Sequence, residues 1–228
     1  MAHPLWPLYD LRLTTADAAV GALELRLPTE AELPAFVAVA SRGIHPPEEM
    51  PFSIPWTDLP SPAREHESYK WYMSSRAGWK VTDWVLTCGV WVDGEPAGFQ
   101  DLRATEFPVY RTVGTGSWLG QSFQGRGIGK LMRQAVLALA FDHLGAQVAE
   151  TEAFLSNPAS SRVSLGVGYE PNGIGQLSQR GVARDSQRFR MTLDGWRARP
   201  RPTVNVEGLD ACRELFGLPD ADGSATAG

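Results

Sequence analysis

Three glycines at alternate positions, Gly125, Gly127 and Gly129, form the segment of this sequence best suited to chemistry. Glycine has no side chain, so the backbone can turn sharply there and point successive N–H groups at one anion. Arg126 and Lys130 add positive charge, and the amphipathic stretch that follows would place the positive end of a helix dipole at the same point. This combination predicts a binding site for a pyrophosphate group.

Two familiar phosphate-binding motifs do not fit this segment. A Walker A loop needs glycine where Gln124 stands and serine or threonine where Leu131 stands. A Rossmann fingerprint needs glycine where Met132 stands, together with a βαβ start that the sequence does not have. The pattern that fits is Gln-x-x-Gly-x-Gly, at Gln124, Gly127 and Gly129. The alternative is a glycine-rich turn that only reverses the chain.

Strands and helices must hold this turn in place, and the hydrophobic pattern predicts them along most of the chain. Apolar and polar residues alternate strictly from Ala22 to Leu27, as in a half-buried strand. Further strands are predicted at 84–92, 97–102, 112–119, 148–154, near 169 and at 187–193, and helices at 29–43, 63–77, 125–144 and after Asn157. This order predicts one α/β domain at 21–198, between an N-terminal segment at 1–20 and a C-terminal extension at 199–228 that ends in a disordered tail.

The composition restricts the class of protein. A chain of 228 residues with a formal net charge of −5 fits one hydrophobic core and has no general attraction to nucleic acid. No stretch approaches the roughly 18 apolar residues of a membrane span, and the first residues lack the features of a signal peptide. Cys88 and Cys212 are far apart and the histidines are scattered, so neither a disulfide framework nor a metal site is expected. The sequence therefore predicts a cytoplasmic protein without a membrane or nucleic-acid partner.

Several segments, taken in order, resemble the GNAT superfamily of acyl-CoA-dependent N-acyltransferases. The strand 116–119 and the turn 124–129 resemble the acyl-CoA site of that superfamily, and 165–169 resembles the Gly-Phe/Tyr segment that follows it. The sequence Asn-Pro-Ala-Ser at 157–160 resembles the Asn-x-x-Ser of the RimJ/RimL-like branch. The resemblance covers about 97–193 and implies a mixed, mostly antiparallel sheet flanked by helices.

The same resemblance implies a site for acyl-CoA as co-substrate. The residues assigned to it are Leu119, Gln124, Gly125, Arg126, Gly127, Ile128, Gly129, Lys130 and Asn157. The strands that end near Leu119 and Phe154 would splay apart to admit the pantetheine arm, with a backbone N–H near Leu119 facing the thioester oxygen. Ser160 would protonate the leaving thiolate. The alternative is that Asn157 and Ser160 only cap a helix.

The general base is less well defined. Many members of the superfamily carry a glutamate on the strand before the turn, but 112–119 contains no carboxylate. We assign the catalytic role to Glu106 in the preceding loop. Asp101, Glu150 and Glu152, acting through a water molecule, are alternatives, as is base catalysis by water alone.

A pocket for the acceptor amine is predicted at the loop 44–58 and the helix that follows it. Prolines exclude regular structure from this loop, whereas its aromatic residues argue against a solvated linker. We assign substrate contacts to Phe52, Trp56 and Arg111, with Tyr69, Trp71 and Arg76 as further candidates. The alternative is that the aromatic residues only cover the core.

The sequence thus predicts direct transfer of an acyl group from acyl-CoA to a primary amine on a small molecule, a protein N-terminus or a lysine. The segment 50–56 and the C-terminal extension resemble actinobacterial GNAT proteins thought to use succinyl-CoA, so the donor is either acetyl-CoA or succinyl-CoA. A succinyl carboxylate would need a cation near the thioester, Arg103 or Arg111. The alternatives are an acyl-CoA sensor without catalysis and a structural subunit, and homo-oligomerisation is compatible with the resemblance.

Overall fold

A computed structural model of the chain describes residues 3–218. The strands are β1 Arg12–Asp17, β2 Gly21–Arg26, β3 Asp83–Val92, β4 Glu95–Thr105, β5 Thr112–Leu119, β6 Val148–Phe154, β7 Glu170–Gln179, β8 Val182–Thr192 and β9 Asn205–Glu207. The α-helices are α1 Leu33–Ser41, α2 Ala63–Ala77, α3 Phe107–Tyr110, α4 Ile128–Ala138, α5 Pro158–Val167 and α6 Leu193–Arg197. The predicted disordered tail lies outside the described residues.

The described strands form one sheet in the order β7-β8-β6-β5-β4-β3-β2-β1-β9. Neighbouring strands are antiparallel except β5 and β6, which run parallel and are connected through α4. This parallel pair brings the carboxyl ends of β5 and β6 to the same edge of the sheet, where open α/β sheets bind their ligands. The predicted fold class, a mixed and mostly antiparallel sheet flanked by helices, is confirmed.

Helices cover the two faces of the sheet unequally. On one face α4 packs into the main hydrophobic core, with Ile128, Leu131 and Ala135 fully or almost fully buried. On the other face α1 and α2 bury a smaller aromatic cluster that includes Phe36 and Tyr72. Helices α1 and α2 therefore cover the second face over β2 to β4. Beyond β4 this face is polar, because in β5 and β6 buried residues alternate with more exposed ones.

Elements β1, α1 and α4 are among those that differ from the predicted ones. The segment 1–20 contains β1, which pairs with both β2 and β9; it was missed because Leu13 is the only buried residue of that strand. Helix α1 begins at Leu33 because Thr29 uses its N–H and hydroxyl to bind the Glu32 carboxylate in a preceding turn. Helix α4 begins at Ile128, after Gly127, and its last predicted turns form a π-helix at Leu139–His143.

Candidate active site

The glycine turn has the backbone geometry that the sequence predicts. Gly125 and Gly127 adopt φ of +73° and +84°, which side chains other than glycine rarely tolerate. Gly127 is the N-cap of α4, and no side chain caps that helix. The N–H groups of residues 125–129 donate to no acceptor within residues 3–218. Five successive unpaired donors and the positive end of the helix dipole thus lie together in one turn, which is suited to a pyrophosphate.

Gln124 anchors this turn to the rest of the fold. Its Nε2 donates to the carbonyl oxygens of Ile44, at 2.7 Å, and Leu119, at 2.8 Å. Both amide hydrogens are thereby used, which gives Gln124 a role in anchoring the turn; its contact with a ligand stays a prediction. On the helix side, a Cβ at Gly129 would stand 3.5 Å from Val163, so α4 and α5 approach each other closely at this position.

The charge around the turn is strongly positive although the whole chain is acidic. No aspartate or glutamate occurs from 107 to 141. Arg126 and Lys130 are both exposed, and neither has a salt-bridge partner within the described chain. The only ring that Arg126 faces is Phe123, with 6.0 Å between the guanidinium carbon and the ring centroid. A polyanion would meet no local carboxylate here.

Strands β5 and β6 splay apart beyond their first three residues. Their backbone pairing ends at Gly114 and Glu150, whereas β5 continues to Leu119 and β6 to Phe154. Gly120 donates to Ala97, so by the alternation of an antiparallel ladder the N–H and C=O groups of Leu119 and Ser117 face away from β4 and toward the gap. The predicted splay is therefore present, and an extended amide-bearing arm has backbone partners along it.

Arg133 lies behind this gap and was not among the predicted site residues. Its side chain is buried, and its guanidinium donates to the hydroxyls of Ser164, at 3.0 Å, Ser117, at 3.1 Å, and Thr151, at 3.5 Å. It therefore connects α4 to both splayed strands and to α5. Its Nε has no hydrogen-bond partner, and no carboxylate pairs with it within residues 3–218. Burial lowers the pKa of Arg133.

The start of α5 lies at the carboxyl end of β6, beside the splay. Asn157 is the N-cap, and its Oδ1 accepts a hydrogen bond from the Ser160 N–H at 3.1 Å. This confirms the capping geometry of Asn157. The Ser160 hydroxyl is partly exposed and has no hydrogen-bond partner in the described part of the chain. It is therefore free to donate to a ligand.

Asp101 occupies the second face of the sheet, directly beside the splayed strand. It pairs across the ladder with Gly116, and its Oδ2 lies 3.9 Å from the place a Cβ on Gly116 would occupy. Burial raises the pKa of Asp101 to about 7, against smaller lowering effects of Arg103 and the Thr87 hydroxyl. Its Oδ1 is buried without a hydrogen-bond partner. A carboxyl group with a pKa near neutrality can accept a proton at physiological pH.

Arg103 lies across β5 on the same face. Added Cβ atoms on Gly114 and Gly116 would stand 3.1 Å from its Nε and 3.3 Å from its Nη1, respectively. The two glycines thus leave the space that the exposed guanidinium occupies. Asp101 and Arg103 together form a polar surface beside the splay.

The aromatic loop packs over this surface. Trp56 packs between Phe52 and Trp118 with tilted rings, whose centroids are 5.5 Å and 5.8 Å away, respectively. Trp118 follows Gly116 on the second face of β5, so the loop forms a wall beside Asp101. The tip of the β7–β8 hairpin holds the loop, because Arg180 makes two hydrogen bonds of 2.7 Å to the Asp58 carboxylate.

Two residues assigned to the site lie elsewhere. Glu106 and Arg111 flank α3, before the start of β5, and eight strand residues separate them from the turn by more than about 20 Å. The guanidinium of Arg111 donates to Leu144. The structure therefore does not bring Glu106 or Arg111 to the site.

Most of the alternative candidates for catalysis or substrate binding either hydrogen-bond to other parts of the protein or lie away from the site. Arg76 donates to two backbone carbonyls, of Tyr72 and Pro28. Glu152 accepts from Ser186 and faces Arg188. The side chains of Tyr69 and Trp71 are 44% and 45% exposed and make no ring contact within the described chain.

The described residues contain no group of three or more His, Cys, Asp or Glu side chains arranged to hold a metal ion. Of the helices the structure describes, none has the length and apolar character needed to cross a membrane.

The fold and the site together define an α/β protein with a glycine turn suited to a diphosphate and a gap between two splayed strands suited to an extended arm. Residues 22–170 match the family model for the acetyltransferase (GNAT) domain. This match covers more than half of the chain, and the protein belongs to the GNAT acetyltransferase family, whose members are acyl-CoA N-acyltransferases.

Solved structures agree with this fold. The chain is similar to RimJ from Mycobacterium smegmatis in complex with CoA-disulfide, with 18% identity and a TM-score of 0.66 over 86% of this chain and 97% of that one. It is similar to RimL, a ribosomal alpha-N-protein acetyltransferase in complex with coenzyme A, with 19% identity and a TM-score of 0.58 over 76% and 95%. A spermidine N-acetyltransferase SpeG chimera shows 13% identity and a TM-score of 0.59 over 78% and 99%.

Proposed function

We propose that this chain binds acyl-CoA at the glycine turn and the β5–β6 splay and transfers the acyl group directly to a primary amine. The observation that carries this proposal is the run of unpaired N–H groups at residues 125–129, which follows the strand β5 where the parallel pair opens. The turn would hold the pyrophosphate, and the backbone groups of Ser117 would bind the pantetheine arm. The CoA complexes of the structurally similar RimJ and RimL proteins support this choice of ligand.

Direct transfer fits the available side chains better than an acyl-enzyme intermediate. Of the two cysteines in the chain, Cys88 lies on β3 and Cys212 lies in the C-terminal extension, and both are buried. Burial raises the pKa of both thiols, that of Cys212 to about 12. A thiol held neutral and away from solvent is a poor nucleophile.

In the proposed reaction the amine nitrogen attacks the thioester carbonyl carbon, and the carbon–sulfur bond breaks. The Leu119 N–H, which faces the gap, would stabilise the oxyanion. Asp101 would take the amine proton through a chain of water molecules, since Gly116 and Leu119 are about 10 Å apart along the strand. Ser160 would donate a proton to the departing thiolate. We thus propose Asp101 in place of Glu106 as the base.

The acceptor would enter over Gly116, between Asp101 and the aromatic wall of Trp56 and Trp118. The acceptor would be a small amine or the end of a peptide, since the similar solved structures include enzymes named for both kinds of substrate. Aromatic rings beside a carboxylate favour a cationic amine. We propose a protonated primary amine as the form that first binds.

The donor is proposed to carry a carboxylate, as a succinyl group does. Arg103 presents an exposed guanidinium over Gly114 and Gly116, and Arg133 adds a second cation without a carboxylate partner behind the gap. Arg103→Ala should erase a preference for succinyl-CoA over acetyl-CoA, while Arg111→Ala, at the far end of β5, should keep it. An acetyl preference in the unmodified protein would exclude the succinyl assignment.

The experiment that tests the proposed function measures release of the CoA thiol from acetyl-CoA and succinyl-CoA in the presence of spermidine and N-terminal peptides. Amine-dependent release confirmed by mass spectrometry of the acylated product is the expected result. Tight binding of a thioester without turnover of any amine would instead indicate an acyl-CoA sensor.

A further inference from the structure

Thr87 is a buried polar residue beside the proposed base, and the reaction described above gives it no role. It lies on β3, directly opposite Asp101 in the antiparallel β3–β4 ladder. Only 1% of the residue is exposed. Directly opposed residues of such a ladder point to the same face of the sheet, with their Cβ atoms about 5 Å apart. The Thr87 hydroxyl and the Asp101 carboxyl group therefore lie side by side on the second face, where the acceptor is proposed to enter.

Each of these two side chains has a buried oxygen atom that makes no hydrogen bond of normal geometry within residues 3–218. The two atoms are Thr87 Oγ1 and Asp101 Oδ1. Buried polar atoms are usually paired, and an unpaired one is costly. A threonine hydroxyl can donate a hydrogen bond, whereas an ionised carboxylate can only accept. Each group is thus the partner that the other lacks.

The other titratable and charged groups around this pair come from β3, β4 and α2. Arg103 is next on the same face of β4 and is exposed. On α2, Tyr72 is buried, and Arg76 donates to two backbone carbonyls. Burial raises the pKa of Tyr72 and that of Cys88 on β3, and the charge of Asp101 raises both further. Tyr72 and Cys88 therefore stay neutral near pH 7, where Asp101 titrates.

We infer that Thr87 is a positioning residue for the reaction, whose hydroxyl donates a hydrogen bond to the Asp101 carboxylate once that group is ionised. The inference rests on the proposed function, in which Asp101 is the base. Asp101 lies between Thr87 on β3 and Gly116 on β5, and its Oδ2 lies 3.9 Å from the place of a Cβ on Gly116. A hydrogen bond from Thr87 to Oδ1 would therefore leave Oδ2 turned toward Gly116, free to take the proton.

The same hydrogen bond sets the pH at which the base becomes active. Burial raises the pKa of Asp101 to about 7, and Arg103 and the Thr87 hydroxyl lower it. A donor to the ionised form of a carboxyl group favours that form. Without the hydroxyl, Asp101 would keep its proton to a higher pH, and fewer molecules would hold an active base at pH 7.

The first test is the pH profile of kcat/KM for Thr87→Val, which keeps the shape of the side chain and removes the donor. The acid limb should move upward by about one pH unit, the effect of one hydrogen bond to a charged group. Thr87→Ser keeps the hydroxyl and should keep the limb in place. Thr105→Val is the matched control, because Thr105 is exposed on the same face of β4, and it should leave the profile unchanged.

The second test does not depend on catalysis. Asp101 has a pKa of about 7 in the folded protein against 3.8 for the free group, so the folded protein loses stability as the pH rises between these values. Removing the hydroxyl extends this loss to higher pH. Urea denaturation at pH 5 and pH 9 should therefore show a fall in the folding equilibrium constant about tenfold larger in Thr87→Val. In the Asp101→Asn background the same substitution should add no pH-dependent change.

The outcomes separate this inference from the proposed function. An acid limb that stays in place in Thr87→Val but disappears in Asp101→Asn would overturn the role of Thr87 and leave the base assignment standing. An equal change in stability at pH 5 and pH 9 would show that the hydroxyl is only an unpaired group of the core. An acid limb that survives in Asp101→Asn would instead contradict the proposed base and, with it, a positioning role for Thr87.

Discussion

Replacing Asp101 by asparagine tests the proposed base with two readouts that move in opposite directions. The variant keeps the size of the side chain but removes the proton acceptor. We expect kcat/KM to fall by about 10² to 10⁴, the usual contribution of a positioned general base. In the unmodified protein kcat/KM should decline as the pH falls through about 7, because Asp101 then becomes protonated. That acid limb should disappear in Asp101→Asn.

At alkaline pH the Asp101→Asn variant should be more stable to unfolding than the unmodified protein. The folded-state pKa of Asp101 is raised from 3.8 to about 7, so between these values the folded protein holds a proton that the unfolded chain has lost. Its free energy of unfolding therefore decreases as the pH rises through this window. About three pKa units at 1.36 kcal/mol each correspond to an upper limit of about 4 kcal/mol. Asparagine avoids this penalty, so Asp101→Asn should be more stable at pH 8.

Steady-state kinetics from pH 5.5 to 9 and urea denaturation at pH 5 and pH 8 measure both effects. Glu106→Gln is the matched control, because Glu106 lies beyond the far end of β5, and it should change neither readout. An Asp101→Asn enzyme that keeps its acid limb and its kcat/KM within about threefold of the unmodified protein would refute the assignment.

Three further variants test the other parts of the site. Ser160→Ala should lower kcat by about 10-fold to 100-fold. The affinity for CoA should stay unchanged, because Asn157 still caps α5. An unchanged kcat would mean that Ser160 has only a structural role. Arg180→Ala removes the contact that holds Asp58 of the aromatic loop, so it should raise KM for the amine several-fold. The free energy of unfolding should change by less than about 1 kcal/mol, because the ion pair is exposed. A larger stability loss without an effect on KM would contradict this role. Arg133→Leu should lower the affinity for acyl-CoA, measured by calorimetry, because the hydrogen bonds that connect Arg133 to Ser117 and Thr151 are lost. An unchanged affinity would show that the gap between β5 and β6 does not depend on Arg133.

The turn and the start of α5 could be predicted because their signals are local. Glycines at 125 and 127 take positive φ, and Asn157 followed by proline caps a helix, so a short window of sequence contains the whole determinant. The aromatic loop was also recognised, since Phe52 and Trp56 do pack against the sheet through Trp118.

The proposed base and cations could not be singled out from the candidates in the sequence because their positions depend on pairing between distant segments. Asp101 faces the site only because its strand pairs with Gly116, whereas Glu106, closer to β5 in sequence, lies at the opposite end of the sheet. Arg133 interrupts the apolar face of α4, and this interruption is visible in the sequence. Its hydrogen-bond partners, however, come from three other elements of the fold. The strand β1 was missed for lack of alternation. Homo-oligomerisation and a cytoplasmic location stay predictions.

The central claim is that the glycine turn binds the pyrophosphate of acyl-CoA, and calorimetric titration of acetyl-CoA and succinyl-CoA tests it most directly. The matched variants are Gly127→Asp and Gly145→Asp, since both glycines have positive φ, +84° and +75°, and similar backbone strain. Gly145 follows the π-helix, away from the turn. Binding of a thioester that is lost in Gly127→Asp and kept in Gly145→Asp is the predicted result. Binding that survives in Gly127→Asp, or no binding to the unmodified protein, would contradict the account.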